Sequence, residues 1–268
     1  MGEQVSAQYN ELGIMLGASN YKGELSPHLF NTDFLHFAAG AFYRHNWNRH
    51  WSYELEFNYG KVSGDDSKAS TGFEQNRNLS FYSTILELSP LIEFNFFPYE
   101  TGNSDFPFTP YIYTGLTIFK FNPKTVFNGT VYELQPLGTE GQGINGDNYY
   151  NRVVMALPIG GGLKFSLGKI GVGVEVAARR TYTDYLDDVS TLYPDPAKLA
   201  ASNGQIAVAL SDRSVFLSDP NIALPNHVGK QRGNPNDNDW YVFMGITIYA
   251  RLTSPAGDVC SPFKRRRY

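Results

Sequence analysis

Apolar and polar side chains alternate along much of this chain, most strictly in the decapeptide 51–60. Successive side chains of a β-strand point to opposite faces, so this segment predicts a strand with one apolar face and one polar face. The apolar face carries Trp51, Tyr53, Leu55, Phe57 and Tyr59, and the polar face carries Ser52, Glu54, Glu56, Asn58 and Gly60. A soluble sandwich and a membrane barrel both produce such a strand, so this segment alone does not decide between them.

The same period of two recurs in seven further segments, which gives a prediction of about eight strands. These segments are 11–19, 34–45, 83–96, 111–118, 153–165, 171–179 and 240–252. Most are long enough for the roughly 9–11 residues that a tilted membrane strand needs.

The connections between these segments alternate in length. Short links are predicted around Trp47 and Asn48, from Tyr99 to Phe108, and around Gly168 and Lys169. Long links are predicted at 23–33, 65–78, 122–151 and 184–239. Short turns at one end, long loops at the other and an even strand number are typical of outer-membrane barrels. The sequence therefore predicts an all-β fold, an antiparallel transmembrane β-barrel of about eight strands with long extracellular loops and short periplasmic turns.

Composition and processing signals refine the domain prediction. The 268 residues are 15% aromatic, which suits interfacial girdles, and carry a net charge of -4. We expect a barrel over 8–253, a periplasmic tail over 254–268 and both termini in the periplasm of a Gram-negative bacterium. Residues 1–7 are predicted to be the end of a signal peptide, because Val5-Ser6-Ala7 has the small-x-small form of a cleavage site. A simple flexible leader remains the alternative.

Charged residues at inward-facing positions predict an ionic network inside the barrel. An eight-stranded barrel is just wide enough to be filled by its side chains, and unpaired buried charge is costly. We therefore expect a polar plug of paired charges rather than a pore or a catalytic cluster. Its predicted members are Glu11, Arg44, Glu54, Glu56, Glu87, Glu93, Lys164, Glu175, Arg179 and Arg251.

Catalysis is the main rival hypothesis, in the form of a small-barrel enzyme that modifies lipid A; a passive porin or adhesin is another. Such an enzyme needs a nucleophile beside a base at the outer rim. His28 and His227 are predicted in outer loops, as are Ser26 and Ser218, and His36 faces the lumen near that rim. No Ser–His–acid spacing is evident, so we predict no enzyme activity, no cofactor and no metal.

Several short motifs resemble, in their joint order, the PorG barrels of the type IX secretion system of Bacteroidota. The resemblance runs from about Tyr9 to Phe263. The motifs occupy 11–13, 19–23, 58–66, 77–81, 93–98, 133–143, 180–190, 210–214, 232–241 and 260–263.

This resemblance implies a non-enzymatic part of a machine that exports and attaches cell-surface proteins, in some relatives with gliding motility. The implied partners are the periplasmic ring lipoprotein PorK (GldK) and PorN (GldN), besides outer-membrane lipid. Contact is expected at the short turns and in the tail, where Cys260 is placed for an intermolecular disulfide or is a free thiol. The candidate contact residues are Trp47, Arg49, Tyr99, Lys169, Cys260, Phe263, Lys264, Arg265, Arg266 and Arg267.

Overall fold

A computed structural model describes residues 8–144, 148–216 and 226–252. Within these ranges the chain forms eleven strands and three short α-helices. The strands are β1 (Tyr9–Lys22), β2 (His36–Asn46), β3 (Trp51–Asp65), β4 (Ser80–Asn95), β5 (Phe108–Gly115), β6 (Thr117–Lys120), β7 (Lys124–Phe127), β8 (Thr130–Glu133), β9 (Val153–Leu167), β10 (Ile170–Thr181) and β11 (Trp240–Leu252).

Eight strand positions close into one antiparallel ring. Each of β1 to β4 pairs with the next, and β9, β10 and β11 follow in the same way until β11 pairs with β1. The fifth position is shared by β5 and β6, which both lie between β4 and β9 and are separated at Leu116. The predicted eight-stranded antiparallel barrel is confirmed.

The two faces of the wall have the predicted character. From Trp51 to Gly60 every second side chain of β3 is exposed and each one between is buried. The exposed set is apolar: Leu55 and Phe57 are 48% and 50% accessible, whereas Glu56 is 2% accessible. The barrel therefore carries its apolar side chains outside and its charges inside.

Connections differ in length at the two ends, as predicted. At the end we call the short-turn end, the links are 47–50, 96–107 and 168–169; at the long-loop end they are 23–35, 66–79, 121–152 and 182–239. The long loops hold the β7–β8 hairpin and the helices α1 (Gly72–Arg77), α2 (Pro196–Asn203) and α3 (Gln205–Ser211). Among the described residues, none of the helices is both long and apolar enough to cross a membrane.

The start and end of α2 follow from its sequence. Asp195 caps the helix by accepting hydrogen bonds from the backbone N–H groups of Ala197 and Lys198, and Pro196 occupies the first helical position. The helix stops before Gly204, whose φ of +89° a residue with a side chain adopts only with strain.

The inside of the barrel changes character along its axis, which the sequence did not predict. Towards the long-loop end, inward side chains such as Phe81, Phe119 and Tyr241 form an apolar cluster. Loop residues complete this cluster from above, namely Leu25, Leu134, Leu186, Val189 and Leu210. The expected polar plug thus fills only part of the lumen, and the long loops pack onto the rest as a cap.

Candidate functional site

Arg44 is the centre of the lumen network at the short-turn end. Its guanidinium lies 2.7 Å from Glu54, 3.1 Å from Glu11 and 3.4 Å from Glu93, and all four side chains are buried. Lys164 forms an ion pair with the other oxygen of Glu93. Two cations therefore neutralise most of the charge of three acids.

A second layer of the network is centred on Arg179. Its guanidinium lies 2.8 Å from Glu87 and 3.4 Å from Glu56. The Tyr241 hydroxyl and the Asn58 amide donate further hydrogen bonds to Glu87, at 2.6 and 2.9 Å. This layer lies below the apolar cluster, where Arg179 also packs against the ring of Phe243.

Two predicted members of the network are placed differently. Glu175 faces the lumen but accepts its hydrogen bond from the Tyr111 hydroxyl, at 2.9 Å. Arg251 lies outside the network: its side chain is 40% exposed and pairs with Glu100 at 3.2 Å. Assigning Arg251 to the lumen was wrong, because it lies at the end of β11, where the wall meets the turn that contains Glu100.

The predicted partner-contact residues separate into exposed and buried ones. Trp47 is 51% exposed, Arg49 is partly exposed and paired with Glu100, and Lys169 is exposed. Tyr99 is only 1% exposed, and its hydroxyl lies 2.9 Å from that of Tyr249, so it cannot belong to a contact surface and that assignment is corrected. The turn containing Tyr99 folds back into the barrel mouth.

The remaining contact candidates lie outside the described residues. They are Cys260, Phe263, Lys264, Arg265, Arg266 and Arg267. Their contact role stays a prediction.

At the long-loop end, two buried arginines tie the loops into one body, which we call the loop cap (23–35, 66–79, 121–144, 148–152, 182–216 and 226–239). Arg77 binds both oxygens of Asp66 at 2.8 Å and donates to the carbonyl oxygens of Glu24 and Arg232. It therefore links three separate loops, and its own charge is neutralised by Asp66.

Arg232 plays the same part for the other loops. It pairs with Glu140 at 2.8 Å and donates to the carbonyl oxygens of Asp188 and Ser211. Glu140 in turn accepts hydrogen bonds from the backbone N–H groups of Ser190 and Thr191. Both arginines of the cap interior thus have acid partners of their own.

Four further acids lie together within the loop cap, and we call Glu24, Asp184, Asp187 and Asp239 the acid cluster. One carboxylate oxygen each of Glu24, Asp184 and Asp239 lie within 4.8 Å of one another. The Tyr21 hydroxyl joins Asp187 to Asp239, at 2.5 and 3.0 Å. Three of these acids come from the longest loop, two from its beginning and one from its end.

The acid cluster lacks matching positive charge. Burial and the neighbouring Asp187 and Asp184 raise the pKa of Glu24 to about 9. Burial, opposed by Ser190 and reinforced by Asp187, raises the pKa of Asp184 to about 8. Burial raises the pKa of Asp187 to about 7, and burial with the repulsion of Asp187 and Glu24 puts that of Asp239 well above its ordinary value.

A serine, a histidine and an acid do meet in the cap, although not in the arrangement of a hydrolase. Asp212 accepts from the Ser214 hydroxyl at 2.6 Å and faces His227 Nδ1 at 2.7 Å. That same Nδ1 is the histidine nitrogen nearest the serine, at 3.5 Å. In a catalytic triad the acid and the nucleophile bind opposite nitrogens, so this group has the geometry of a loop-end hydrogen-bond cluster.

The motifs identified in the sequence include segments that build the cap, but no role was predicted for their acids. The local signal was present, since Asp184, Asp187 and Asp188 crowd one segment and Asp237 and Asp239 another. The sequence does not show that these acids lie close to Glu24, which is more than 200 positions from Asp239.

A protein-family model described as a domain of unknown function, DUF6089, matches residues 1–203. The match spans more than half of the sequence, and the chain therefore belongs to this family. No curated protein matches the sequence.

The fold is similar to those of several solved structures. Ail, the attachment invasion locus protein of Yersinia pestis crystallised with sucrose octasulfate, is 10% identical; the alignment covers 91% of this chain and 99% of Ail, with a TM-score of 0.42. Neisserial surface protein A is 6% identical, with 92% and 98% covered and a TM-score of 0.42. The N-terminal barrel of Pseudomonas aeruginosa OprF is 9% identical, with 91% and 99% covered and a TM-score of 0.36.

Proposed function

We propose that this member of the DUF6089 family is an outer-membrane barrel of the type IX secretion system, which holds the periplasmic lipoprotein ring at the membrane without catalysing a reaction. The ring partners would be PorK (GldK) and PorN (GldN). The observation that carries the proposal is a closed barrel whose wall is apolar outside and whose lumen is filled by paired charges. The sequence motifs shared with PorG barrels supply the identity of the machine.

The outer wall supports a position in the outer membrane. Leu12, Ile14 and Leu16 of β1 are each about half exposed on the outside, as are equivalent residues of the other strands. Water disfavours such a continuous apolar surface, whereas acyl chains cover it at no comparable cost. Antiparallel strands in a closed ring also satisfy their own backbone hydrogen bonds, as the bilayer requires.

The filled lumen favours a structural role over conduction. Arg44 and Arg179 with their acids cross the interior in two layers, and the apolar cluster and the cap lie above them. A planar-bilayer measurement should therefore show no steady conductance from the purified barrel. A stable open channel would instead favour the porin alternative.

The short-turn end supplies a surface for the ring. Trp47 stacks on Tyr53 but keeps half of its surface accessible, and Arg49 and Lys169 lie in two separate turns of the same end. Exposed aromatic and arginine side chains are the types that most often dominate protein interfaces. The basic residues also suit an acidic partner face.

Affinity purification of the tagged barrel from native membranes tests the proposal. We expect a ring lipoprotein to co-purify with the wild type and its recovery to fall at least about tenfold with Trp47→Ala plus Lys169→Glu, since interface anchors contribute 2 kcal/mol or more. Phe73→Ala is the matched control, because Phe73 is an aromatic residue of similar exposure at the opposite end. Recovery of the barrel alone, or equal loss in the control, would contradict the proposal.

Cys260→Ser tests the disulfide prediction separately. If Cys260 bridges to a ring lipoprotein, a non-reducing gel of native membranes should show a large adduct that disappears in the variant. A thiol that remains fully accessible to alkylation in the intact complex would reject the bridge and leave the ring proposal standing.

A further inference from the structure

We propose that the acid cluster of Glu24, Asp184, Asp187 and Asp239 is a calcium site that fastens the longest loop to the first one. The site lies at the opposite end of the barrel from the ring contact, so it stands or falls independently of the proposed function.

The first step is the unused bonding capacity of Asp184. This residue is 6% exposed, and neither of its carboxylate oxygens has a hydrogen bond of standard geometry. Oxygen Oε2 of Glu24 is equally without a partner, although Oε1 accepts from the backbone N–H of Asn234 at 3.1 Å. A buried carboxylate oxygen without a donor is costly, and both residues belong to the group of acids whose oxygens lie close together.

The second step is the spacing of the oxygens. Three of them, from Glu24, Asp184 and Asp239, lie within 4.8 Å of one another. Calcium binds oxygen at about 2.3–2.6 Å, so two ligands on opposite sides of one ion are about 5 Å apart. The three carboxylates can therefore share one ion with small side-chain adjustments. Backbone carbonyls and water can complete the six to eight oxygens that calcium takes.

The third step is the charge balance. Arg77 is held by Asp66, and Arg232 by Glu140, so neither forms an ion pair with the cluster. Carboxylates are hard oxygen donors and the described residues add no nitrogen or sulfur ligand to the group, which favours calcium over a transition metal. A divalent ion would supply the positive charge that the cap does not.

The fourth step is access. An open cavity of about 300 Å³ is lined by Glu24, Asp237, Glu74 and the two arginines of the cap. Glu24 belongs to both the cavity and the cluster, so the cavity brings solvent ions to one of the cluster's carboxylates. Gly23 allows the chain to pass beside it, because a Cβ there would lie 2.0 Å from Asp239 Oδ1.

Terbium luminescence tests the site in the full-length barrel, folded in detergent micelles. Tb³⁺ replaces Ca²⁺ at oxygen sites, and Tyr21 lies within hydrogen-bond distance of two of the acids, so excitation of tyrosine should sensitise a bound ion. We expect Tb³⁺ luminescence that is lost when Ca²⁺ displaces the ion. Asp184→Asn and Glu24→Gln should each lower the affinity for Tb³⁺ by at least about tenfold, because losing even a residue that only supports a metal ligand costs that much.

Glu133→Gln is the matched control. Glu133 lies in a cap loop, but Lys124 and Arg152 already neutralise it at 3.0 and 3.2 Å. The control should bind Tb³⁺ like the wild type. Luminescence that is absent, or equal in the wild type and both cluster variants, overturns the proposal.

A measurement on the wild type alone covers the case in which a cluster variant does not fold. Tryptic cleavage after Arg232, whose side chain is buried, requires the cap to open. Ca²⁺ at 100 times its Kd should slow this cleavage about 100-fold relative to excess chelator, because binding lowers the open population by that factor. Equal rates with Ca²⁺ and with chelator also overturn the proposal.

Discussion

The lumen network and the acid cluster are both groups of buried charge, but their charges are balanced in different ways. In the lumen, Arg44, Lys164 and Arg179 lie on strands and pair with acids that other strands of the ring place opposite them. In the cap, the acids of the cluster face one another, and the nearby Arg77 and Arg232 are held by other partners.

The difference follows from where the residues come from. Strand register fixes the position of each lumen residue in the ring, so opposite charges are held at fixed positions facing each other. The acid cluster is assembled from a first loop and from both ends of a loop 58 residues long (182–239). A group built in this way can take its counter-charge from solution, and the same loops then depend on that ion.

Removing the central cation of the lumen network should have the largest effect. Arg44→Met leaves Glu11, Glu54 and Glu93 with only Lys164, and breaking a buried ion pair costs about 3–5 kcal/mol. Reversible denaturant unfolding in micelles measures this loss of unfolding free energy. Arg49→Met is the control, since the exposed pair with Glu100 should change stability by less than about 1 kcal/mol. Equal effects would mean that the lumen charges are solvated.

Removing a cap arginine should open the loops and leave the barrel intact. Arg232→Met strands Glu140 and frees two carbonyl oxygens, at a cost of about 3 kcal/mol confined to the cap. Hydrogen exchange should show roughly 100-fold faster exchange in cap amides and unchanged exchange in β2 and β3. Loss of protection in those strands would show that cap and barrel fold as one unit.

Neutralising one acid in each group should give effects of opposite sign. Glu93→Gln removes the shared partner of Arg44 and Lys164 and should lower stability by about 2 kcal/mol. Asp184→Asn, in chelator at about pH 9 where this carboxyl is ionised, relieves repulsion and should raise cap stability by about 1 kcal/mol.

The cap can be followed separately by the fluorescence of Trp240, which adjoins Asp239. The other two tryptophans, Trp47 and Trp51, lie at the short-turn end and can be replaced by phenylalanine. If Asp184→Asn instead destabilises the metal-free cap, the charges of the acid cluster are balanced after all.

The last prediction concerns a slope rather than a single change in stability, namely the pH dependence of cap stability in chelator. The pKa of Glu24 is raised to about 9 and that of Asp184 to about 8, so the folded cap retains protons that the unfolded chain releases. The contribution of these two carboxyls to cap stability is then fully present below about pH 4. It falls as pH rises from there through these values, by at most about 1.4 kcal/mol per unit for each carboxyl. The Trp240 signal measures this slope, and Asp184→Asn should flatten it.

The sequence was sufficient for the barrel because each residue of a membrane strand records its own orientation. Trp51 to Gly60 alternate in the structure as they do in the sequence. The β7–β8 hairpin was missed although Asn128-Gly129, with φ of +50° and +77°, is a typical two-residue hairpin turn. Alternation over two strands of four residues is too short to stand out.

The predictions for individual site residues failed where the surroundings of a residue depend on its position along the chain rather than on the face of the strand that it occupies. Arg251 has the inward parity of the lumen residues but lies at the end of β11, and Tyr99 lies in a turn but points into the barrel. The acid cluster could not be predicted because it depends on the packing of loops far apart in sequence. The alternation of polar and apolar residues along a strand carries no information about such contacts.

The arginine-tied cap has a consequence for engineering this surface. Because Arg77 holds backbone carbonyls of two other loops and Arg232 pairs with Glu140 of another, a peptide inserted into one loop near them would disturb its neighbours as well. The tip at Asn128-Gly129 lies outside that web, and a Cβ added at Gly129 would meet nothing within 4 Å. A displayed epitope is best inserted there, because it would leave the contacts between the other loops unchanged.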